Sequence, residues 1–507
     1  MNSGGGWRTL LTPSILAAII FFCILWRMDF PKPGSDDLFY LGASLNLADG
    51  GDFSNPLIVR QEFPSHFFFV YPPLHSFALA GWLKMFGINS AAMTAYAIFS
   101  CLVVSIATIF ILRRHQAPAW LEWLVPLGVC YGLLPLGLRA EPFAAALVMG
   151  GFAIAEAEIS RRKAWALGVG LLLIFLGGSA APRITIVAAA LVLRAGWHAW
   201  ISASRSRQRW GIVLCFLAAF LITGISFLLL IDFRVGEFLH TFHYFAAGRV
   251  FGSKLRLLFA FLFGGGYVQL SLPLLFFGLL IYAVTKPTDE LSLTAYFVAA
   301  TLPVAVVMGT IGSGTPWWMF LVIFLLAGSA LKRLSRSRAI SLQLAIALVA
   351  LTINRKAIVQ GYGLVSGHIK SDRGEQLAAA LKFQPTPEHP IVLDGWVARY
   401  VYDYRLPPGA LDLASATKFP GMSPGSYPLP ASAGPQLFPG DMFIVGNVML
   451  HNLKIYTYLE HPDPPKWAAF GLKQLSFEEY PRWAYLIPSE SCRAIRSEAS
   501  MPLPADD

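Results

Sequence analysis

The chain has 507 residues, of which 56% are hydrophobic and only 13% are charged, and its mean hydropathy is +0.57. A soluble domain carries about 25% charged residues, so this composition excludes an ordinary soluble protein and indicates a polytopic membrane protein. The formal net charge is +10. In a membrane protein such an excess reflects basic cytoplasmic loops, and the chain carries no nucleic-acid-binding motif.

About eleven apolar segments, each close to the roughly 20 residues that a bilayer-spanning helix needs, follow one another up to residue 353. The first resembles a signal sequence but has no small-residue cleavage site, so it is interpreted as an uncleaved helix. Residues 71–87, bracketed by Pro-Pro and Gly, are predicted instead as a helix lying along the outer membrane surface. The predicted spans are 9–27, 90–112, 117–136, 142–159, 164–180, 184–201, 211–231, 266–285, 291–310, 317–331 and 339–353.

Basic clusters occur at every second connection between these segments. The positive-inside rule assigns them to the cytoplasm. The remaining connections, which carry most of the acidic and histidine side chains, are therefore predicted to face outward, and an odd number of spans places the C-terminus outside as well. The clusters are Arg113-Arg114, Arg161-Arg162-Lys163, Arg205 with Arg207 and Arg209, Lys286, and Lys332 with Arg333, Arg336 and Arg338.

The composition changes after residue 353, where charge, proline and glycine rise and no apolar span remains. The pattern predicts a short helix at "GEQLAAALKF" and strands in "HPIVLDGW", "GDMFIVGN" and "WAYLIP". The predicted architecture is an all-α polytopic membrane domain at 1–353, followed by an extracytoplasmic α/β domain at 354–507. The second stretch is long enough for one domain.

Several motifs occur in order on the predicted outer side. The acidic pair of "SDDLFYLGASLNLADGG" follows the first span, "YPPL" and then "FG" precede the second, "LRAEPF" opens a later span, and the C-terminal domain comes last. This order resembles the C-superfamily (GT-C) glycosyltransferases that use polyprenyl-phosphate sugars, and above all bacterial relatives of the protein mannosyltransferases and lipid A aminoarabinose transferases. The resemblance implies a GT-C-type fold with about 11 transmembrane helices plus interfacial helices.

The resemblance also implies a multi-pass enzyme of the bacterial cytoplasmic (inner) membrane with its active site facing the periplasm. It would move a sugar from a polyprenyl-phosphate donor to a hydroxyl of a glycan, lipid or protein acceptor. That hydroxyl must lose a proton as it attacks the anomeric carbon, so a carboxylate can serve as general base. The leaving phosphate is already ionised and needs cations rather than an acid. A single displacement would invert the anomeric centre.

Acidic residues on the outer side are the predicted catalytic and sugar-binding groups. The resemblance assigns the catalytic centre to Asp36, as the base, and Asp37, as its helper. "GSDD" is also a good helix N-cap, which is the alternative role for one of the two. Arg139 and Glu141, at the mouth of a later span, are predicted as sugar or metal-shell contacts, with an interfacial salt bridge as the alternative.

Basic residues on the outer side are the predicted phosphate ligands. Arg183 follows Gly177-Gly178 and Pro182, which predict a broken helix that lets a cation reach inward; a snorkelling arginine is the alternative. The segment 237–254 mixes aromatic with basic residues, and an interfacial amphipathic helix explains the aromatics equally well. Its candidates for binding the donor headgroup are His240, His243, Arg249 and Lys254.

Some relatives have Glu-Lys-Pro where this chain has Val70-Tyr71-Pro72-Pro73, and the nearest acid, Glu62, lies nine residues before Tyr71. Glu62 and Tyr71 are the candidate donor contacts of this segment. No cofactor is assigned, a divalent metal ion is left open, and the histidines show no zinc-site spacing. A secondary transporter and a non-catalytic lipid-binding relative of the fold remain alternative functions.

Overall fold

The computed structural model describes the backbone of residues 6–27, 36–54, 67–159, 164–247, 266–307 and 315–353, a few positions up to 366, and five short strands between 391 and 486. Side chains are described at 12–25, 41–54, 67–134, 136–157, 165–243, 271–305 and 317–350, and at a few positions beyond. The helix predicted at "GEQLAAALKF" lies outside these residues.

Helices make up most of the described chain up to residue 353. They are α1 Gly6–Arg27, α2 Asp36–Ala48, α3 Leu74–Phe86, α4 Ser90–Arg114, α5 Leu121–Leu133, α6 Ala140–Ile159, α7 Ala164–Ala180, α8 Pro182–Ser202, α9 Ser206–Leu230, α10 Val235–Ala247, α11 Gly266–Val284, α12 Glu290–Ala299, α13 Thr301–Val307, α14 Thr315–Leu331 and α15 Arg336–Ile353. A 3₁₀ turn, Leu134–Leu136, lies between α5 and α6.

Each predicted span coincides with one of these helices, except that 291–310 is divided at Ala300 into α12 and α13. Within the described residues, four helices are long and apolar enough to cross a membrane, and several shorter apolar helices accompany them. The four are α4, α6 over Ala140–Ala157, α8 and α9. The number of membrane crossings in the whole chain stays a prediction.

Helix α3 has 13 residues, so it extends about 20 Å. The hydrocarbon core of a bilayer is about 30 Å thick. Helix α3 lies within the predicted segment 71–87 and is shorter than a perpendicular span needs, as is the 13-residue α5, so the location of α3 along the membrane surface stays a prediction.

The chain divides into two compact units. The first comprises Met1–Ile24, Phe69–Ala78 and Thr94–Ile369, and the second comprises Leu25–Phe68, Leu79–Met93 and Lys370–Asp507. The division of the sequence into domains at 1–353 and 354–507 stays a prediction.

The described residues of the second unit form a five-stranded sheet, in the order β2-β1-β3-β5-β4. Strand β1 is parallel to β2 and β3, while β5 is antiparallel to β3 and β4; Val392 of β1 lies opposite Phe443 of β3. Three strands fall in the segments predicted as strands, whereas the sequence pattern does not indicate β2 or β4. The strands are β1 Ile391–Leu393, β2 Ala410–Asp412, β3 Met442–Ile444, β4 Lys473–Gln474 and β5 Ala484–Leu486.

In the first unit, α6 and α7 approach each other closely because glycines face each other. A Cβ atom added to Gly151 would lie 2.5 Å from the carbonyl oxygen of Gly170, and one added to Gly170 would lie 2.7 Å from the carbonyl oxygen of Gly151. Small residues at such contacts let membrane helices associate through close backbone packing. The contact fixes how far α6 lies from α7.

A break separates α7 from α8, as Gly177-Gly178 and Pro182 predict. Ala181 is extended, with φ −146° and ψ 121°, and α8 begins at Pro182. The hydroxyl of Thr185 donates a hydrogen bond to the carbonyl of Gly178 at 2.6 Å, which satisfies an acceptor at the end of α7. As a result of the break, Arg183 lies in the first turn of α8.

Asp289 caps the start of α12. Its carboxylate accepts hydrogen bonds from the backbone N–H of Ser292 and the hydroxyl of Ser329, both at 2.9 Å, and lies 3.3 Å from Arg333. Burial raises the pKa of Asp289, but these hydrogen bonds and the charge of Arg333 outweigh burial and lower the pKa below its ordinary value. The stabilisation is therefore present above the unfolded-state pKa and is lost as pH falls through the lower folded-state pKa.

We expect Asp289→Asn to lower the free energy of unfolding by about 1 kcal/mol at pH 7, because an ionised cap with three partners is replaced by a neutral one. The difference from wild type should shrink as the pH is lowered to about 3, because stabilisation by an ionised carboxylate decreases once the pH falls below its unfolded-state pKa of about 3.9. Melting temperatures at both pH values measure this. Asp232→Asn, at a side chain that is 83% exposed, is the control; an effect of Asp289→Asn that does not shrink in acid contradicts the assignment.

Candidate functional site

Three of the predicted site residues meet at the beginnings of α6 and α8. Nη2 of Arg139 lies 3.3 Å from Oε1 of Glu141, and Nη1 of Arg183 lies 3.5 Å from the same oxygen. Glu141 is completely buried, Arg139 is 8% exposed, and the Arg183 side chain is 27% exposed. One carboxylate thus faces two guanidinium groups, and the three side chains together carry a net charge of +1.

Arg139 and Glu141 form an ion pair, as the structural alternative for these residues predicts, but the pair is buried rather than exposed. Placing a charge in a low-dielectric interior costs several kcal/mol, which its partners repay only when their geometry is good. Oε2 of Glu141 has no hydrogen-bond partner among the described residues. Buried charges in membrane proteins are expensive and tend to be functional, so this cluster is the strongest candidate site in the described chain.

His75, on α3, supports the segment that leads into α6. Its Nε2 lies 2.7 Å from the carbonyl oxygen of Leu138, and its Nδ1 lies 3.3 Å from the hydroxyl of Tyr96. A carbonyl only accepts, so Nε2–H donates to Leu138 and the tyrosine hydroxyl donates to Nδ1. Burial lowers the pKa of His75 to about 4, against the opposing effects of the Leu138 hydrogen bond and the charge of Glu141. His75 is therefore a neutral structural residue next to Arg139.

An apolar groove of about 550 Å³ lies beside the first turns of α8. Its walls come from α7, α8, α9 and α10, and they include Pro182 and Thr185, which flank Arg183 in the sequence. Phe238 of α10 packs edge-on against Phe227 of α9 at 5.0 Å between ring centroids. A groove of this size and composition suits a hydrocarbon ligand. Other lining residues are Pro72, Phe175, Ala188, Phe220, Thr223 and Phe242.

Helix α10 presents its predicted candidates away from the groove wall. Phe238 and Phe242 line the groove, whereas His240 and His243 are exposed. Tyr71 is buried, at 8% exposure. For these three residues, contact with a donor stays a prediction.

The remaining candidates have side chains outside the described residues: Asp36, Asp37, Glu62, Arg249 and Lys254. The backbone does show that α2 begins at Asp36, so the acidic pair occupies the first turn of a helix. The backbone position tests neither the catalytic role nor the capping role of Asp36 and Asp37. Among the side chains that the structure describes, no group of three or more His, Cys, Asp or Glu residues could hold a metal ion.

The structure contains a second charge cluster, which the sequence pattern does not predict. We call it the distal cluster: Glu156 on α6, Arg194 and His198 on α8, and Glu290 on α12. Oε1 of Glu156 lies 3.3 Å from Nδ1 of His198 and 4.0 Å from Nη1 of Arg194, and Arg194 also pairs with Glu290. Arg194 and Glu156 are fully buried. The available signal was the presence of ionisable residues inside the apolar segments 142–159 and 184–201, where charges are costly.

Comparison with solved structures identifies the fold. ArnT from Cupriavidus metallidurans in the apo state, a lipid A aminoarabinose transferase of the GT-C type, superposes with a TM-score of 0.52 over 89% of this chain and 95% of that one, at 16% sequence identity. The chain has the GT-C fold. ArnT bound to undecaprenyl phosphate gives a TM-score of 0.48 over the same shares, at 15% identity. No family model and no curated protein matches the chain.

The GT-C fold that the order of outer-side motifs predicts is thus confirmed. At 16% sequence identity, the similarity to ArnT shows the fold of this chain but not the reaction that it catalyses. The reaction, the donor and the acceptor must be argued from the site.

Proposed function

We propose that this protein is an integral membrane glycosyltransferase that moves a sugar from a polyprenyl-phosphate donor to an acceptor hydroxyl. The supporting observation is the buried Arg139–Glu141–Arg183 cluster, with its net positive charge, next to an apolar groove in a chain with the GT-C fold. This combination matches a ligand with a phosphate at one end of a long hydrocarbon chain. ArnT, whose fold the chain shares, binds undecaprenyl phosphate.

In the proposed reaction the acceptor oxygen attacks the anomeric carbon while its proton passes to the carboxylate of Asp36. The bond between the anomeric carbon and the phosphate oxygen breaks, and polyprenyl phosphate leaves with the bonding electrons. One displacement inverts the anomeric centre. Asp37 orients the acceptor or assists the base.

The cations would hold the phosphate of the donor through charge-assisted hydrogen bonds, both in the bound donor and as the phosphate departs. Arg183 is the principal candidate, because it is partly exposed and its neighbours in α8 line the groove. Glu141 would hold both guanidinium groups in place by accepting from them, and Arg139 would add positive charge. Further donor contacts proposed from the sequence are Glu62, Tyr71, His240, His243, Arg249 and Lys254.

The proposal includes a location. The positive-inside rule assigns the starts of α6 and α8 to the outer face of the bacterial cytoplasmic membrane. Residues 1–353 would form the catalytic membrane domain, and 354–507 a periplasmic α/β domain that contains the sheet.

Arg183→Gln is expected to raise the KM for the lipid-linked donor about 10- to 100-fold. The reason is the loss of one charge-assisted contact to phosphate, worth about 1.5–3 kcal/mol. The measurement is incorporation of labelled sugar by the purified protein, with a polyprenyl-phosphate sugar as donor. Arg234→Gln is the matched control, because this arginine lies between α9 and α10 and pairs with Asp232 and Glu237, outside the Arg139–Glu141–Arg183 cluster.

If the wild-type protein neither transfers sugar from such donors nor binds polyprenyl phosphate, the proposed function is wrong. If it transfers sugar but Arg183→Gln behaves like Arg234→Gln, only the assignment of Arg183 is wrong. Binding of polyprenyl phosphate without transfer to any acceptor would favour the non-catalytic lipid-binding alternative.

The buried charges of the distal cluster are also compatible with the alternative function, a secondary transporter. Secondary transporters place ionisable side chains inside broken membrane helices, and the distal cluster buries Glu156 and Arg194 within apolar helices. A flux assay in liposomes separates the two functions. Uptake of a solute without any sugar transfer would favour transport.

A further inference from the structure

The two charge clusters are related by a shared spacing. Glu156 follows Glu141 by fifteen residues on α6, and His198 follows Arg183 by the same fifteen residues on α8. Glu141 and Arg183 are 3.5 Å apart, and Glu156 and His198 are 3.3 Å apart. Fifteen residues span about 22 Å and a little over four helical turns. Polar contacts therefore join α6 and α8 at both ends. In each contact the acidic residue is on α6 and the basic residue is on α8.

The two helices differ in how their positions are fixed. Helix α6 packs backbone to backbone against α7 through Gly151 and Gly170. Helix α8 begins immediately after the break at Ala181, so no continuous helical hydrogen bonding ties it to α7. Near this break α8 is joined to α7 by the hydrogen bond from Thr185 to Gly178, and side-chain contacts farther along α8 contribute to its rotation and height.

The distal cluster supplies directional contacts of this kind. Nε of Arg194 donates to the hydroxyl of Thr294 at 3.2 Å, and its guanidinium pairs with Glu290, so α8 is joined to α12 as well as to α6. His115, at the end of α4, lies 3.9 Å from Oε2 of Glu156. A helix is stiff along its axis, so a displacement at His198 is transmitted to Arg183.

We infer that the distal cluster is a positioning device for Arg183. Glu156, Arg194 and His198 set the rotation and height of α8 so that the guanidinium of Arg183 meets both Glu141 and the phosphate of the donor. The residues of the cluster act on the reaction only through α8. This inference rests on the proposed function, because its effect is on the binding of the lipid-linked donor.

Glu156→Gln is expected to raise the KM for the polyprenyl-phosphate donor about tenfold while kcat changes less than threefold. Misplacing a binding group by about 1 Å can cost up to a hundredfold, and loss of a contact made equally in the ground and transition states raises KM and leaves kcat unchanged. A residue with a purely structural role would instead reduce the fraction of active protein, which lowers the apparent kcat at an unchanged KM.

Glu122→Gln is the matched control. Glu122 on α5 is also a buried acid, with 5% of its side chain exposed, and it pairs with Arg113 on α4 at 2.7 Å. Among the described residues, its ion pair joins α5 to α4 rather than to α6 or α8. Removing its charge should cost comparable thermal stability and leave the donor KM at the wild-type value.

His198→Gln provides a second, milder variant, because its side chain is 19% exposed and the substitution removes one contact to Glu156. It should raise the donor KM in the same direction, and it decides the question if Glu156→Gln does not fold. A wild-type donor KM in the folded distal variants, or an equal rise in Glu122→Gln, overturns the inference while leaving the proposed function intact. Absence of transfer by the wild-type protein overturns the proposed function instead.

Discussion

Asp36→Asn is expected to lower kcat for sugar transfer by about 10²- to 10⁴-fold, the range that a positioned general base contributes. The substitution separates the two roles that the sequence allows. Helix α2 begins at Asp36, and one carboxylate charge in the first turn of a helix is worth only about 0.3–1 kcal/mol. An asparagine would therefore preserve the start of α2 but could not accept the proton of the acceptor hydroxyl.

The measurement is turnover with saturating donor, together with the donor KM and the melting temperature. The last two should stay near the wild-type values if only the base is lost. Asp37→Asn should give a smaller loss of kcat, since Asp37 is assigned the supporting role. Asp49→Asn, at an exposed residue just after α2, is the control. Intact turnover in both Asp36→Asn and Asp37→Asn would show that the catalytic assignment is wrong.

Gly151→Leu is expected to prevent folding into a stable, monodisperse protein. Its Cβ would lie 2.5 Å from the carbonyl oxygen of Gly170 and 2.9 Å from the backbone nitrogen of Ile174. Because both are backbone atoms, relief requires that α7 move away from α6, and the contacts between the two helices are then lost. Size-exclusion chromatography of the detergent-solubilised protein and its melting temperature report the outcome.

Gly196→Leu is the matched control for this substitution. Gly196 also lies within an apolar helix, α8, but a Cβ atom there would have no neighbour within 4 Å. Replacing a helical glycine in open space raises helix propensity, so this variant should be at least as stable as wild type. If Gly151→Leu matched it in yield and melting temperature, the close packing of α6 on α7 would be refuted.

The positions of the helices could be predicted from the sequence with little error. Apolar windows locate α4, α6 and α9 within a few residues of their observed ends, because a long apolar run has only one stable form in a bilayer, which is the helix. The break before Arg183 could also be predicted from the sequence, because Gly177-Gly178 and Pro182 disfavour a continuous helix. The two-residue strand β4 lies below the length at which a strand pattern can be recognised.

Three of the predicted site residues lie together in the structure, while their role in binding or catalysis stays a prediction. Arg139, Glu141 and Arg183 were identified as candidates on one face of the membrane, and the structure brings all three together around Oε1 of Glu141. Their mutual distance could not be deduced from the sequence, because it depends on how α6 and α8 are rotated. The partners of the distal cluster were missed for the same reason: Glu156 and Arg194 each look like an isolated charge in an apolar segment until the helices are packed.

The sequence by itself determined that this is a membrane protein, approximately where most of its apolar helices lie, and the order of motifs that indicates the GT-C fold. Only the tertiary structure decided which charges meet. The apolar composition of a segment is enough to predict that it forms a helix. An ion pair between two helices depends also on how each helix is rotated about its axis and shifted along it. Both are set by contacts such as Gly151 with Gly170, between residues far apart in the chain.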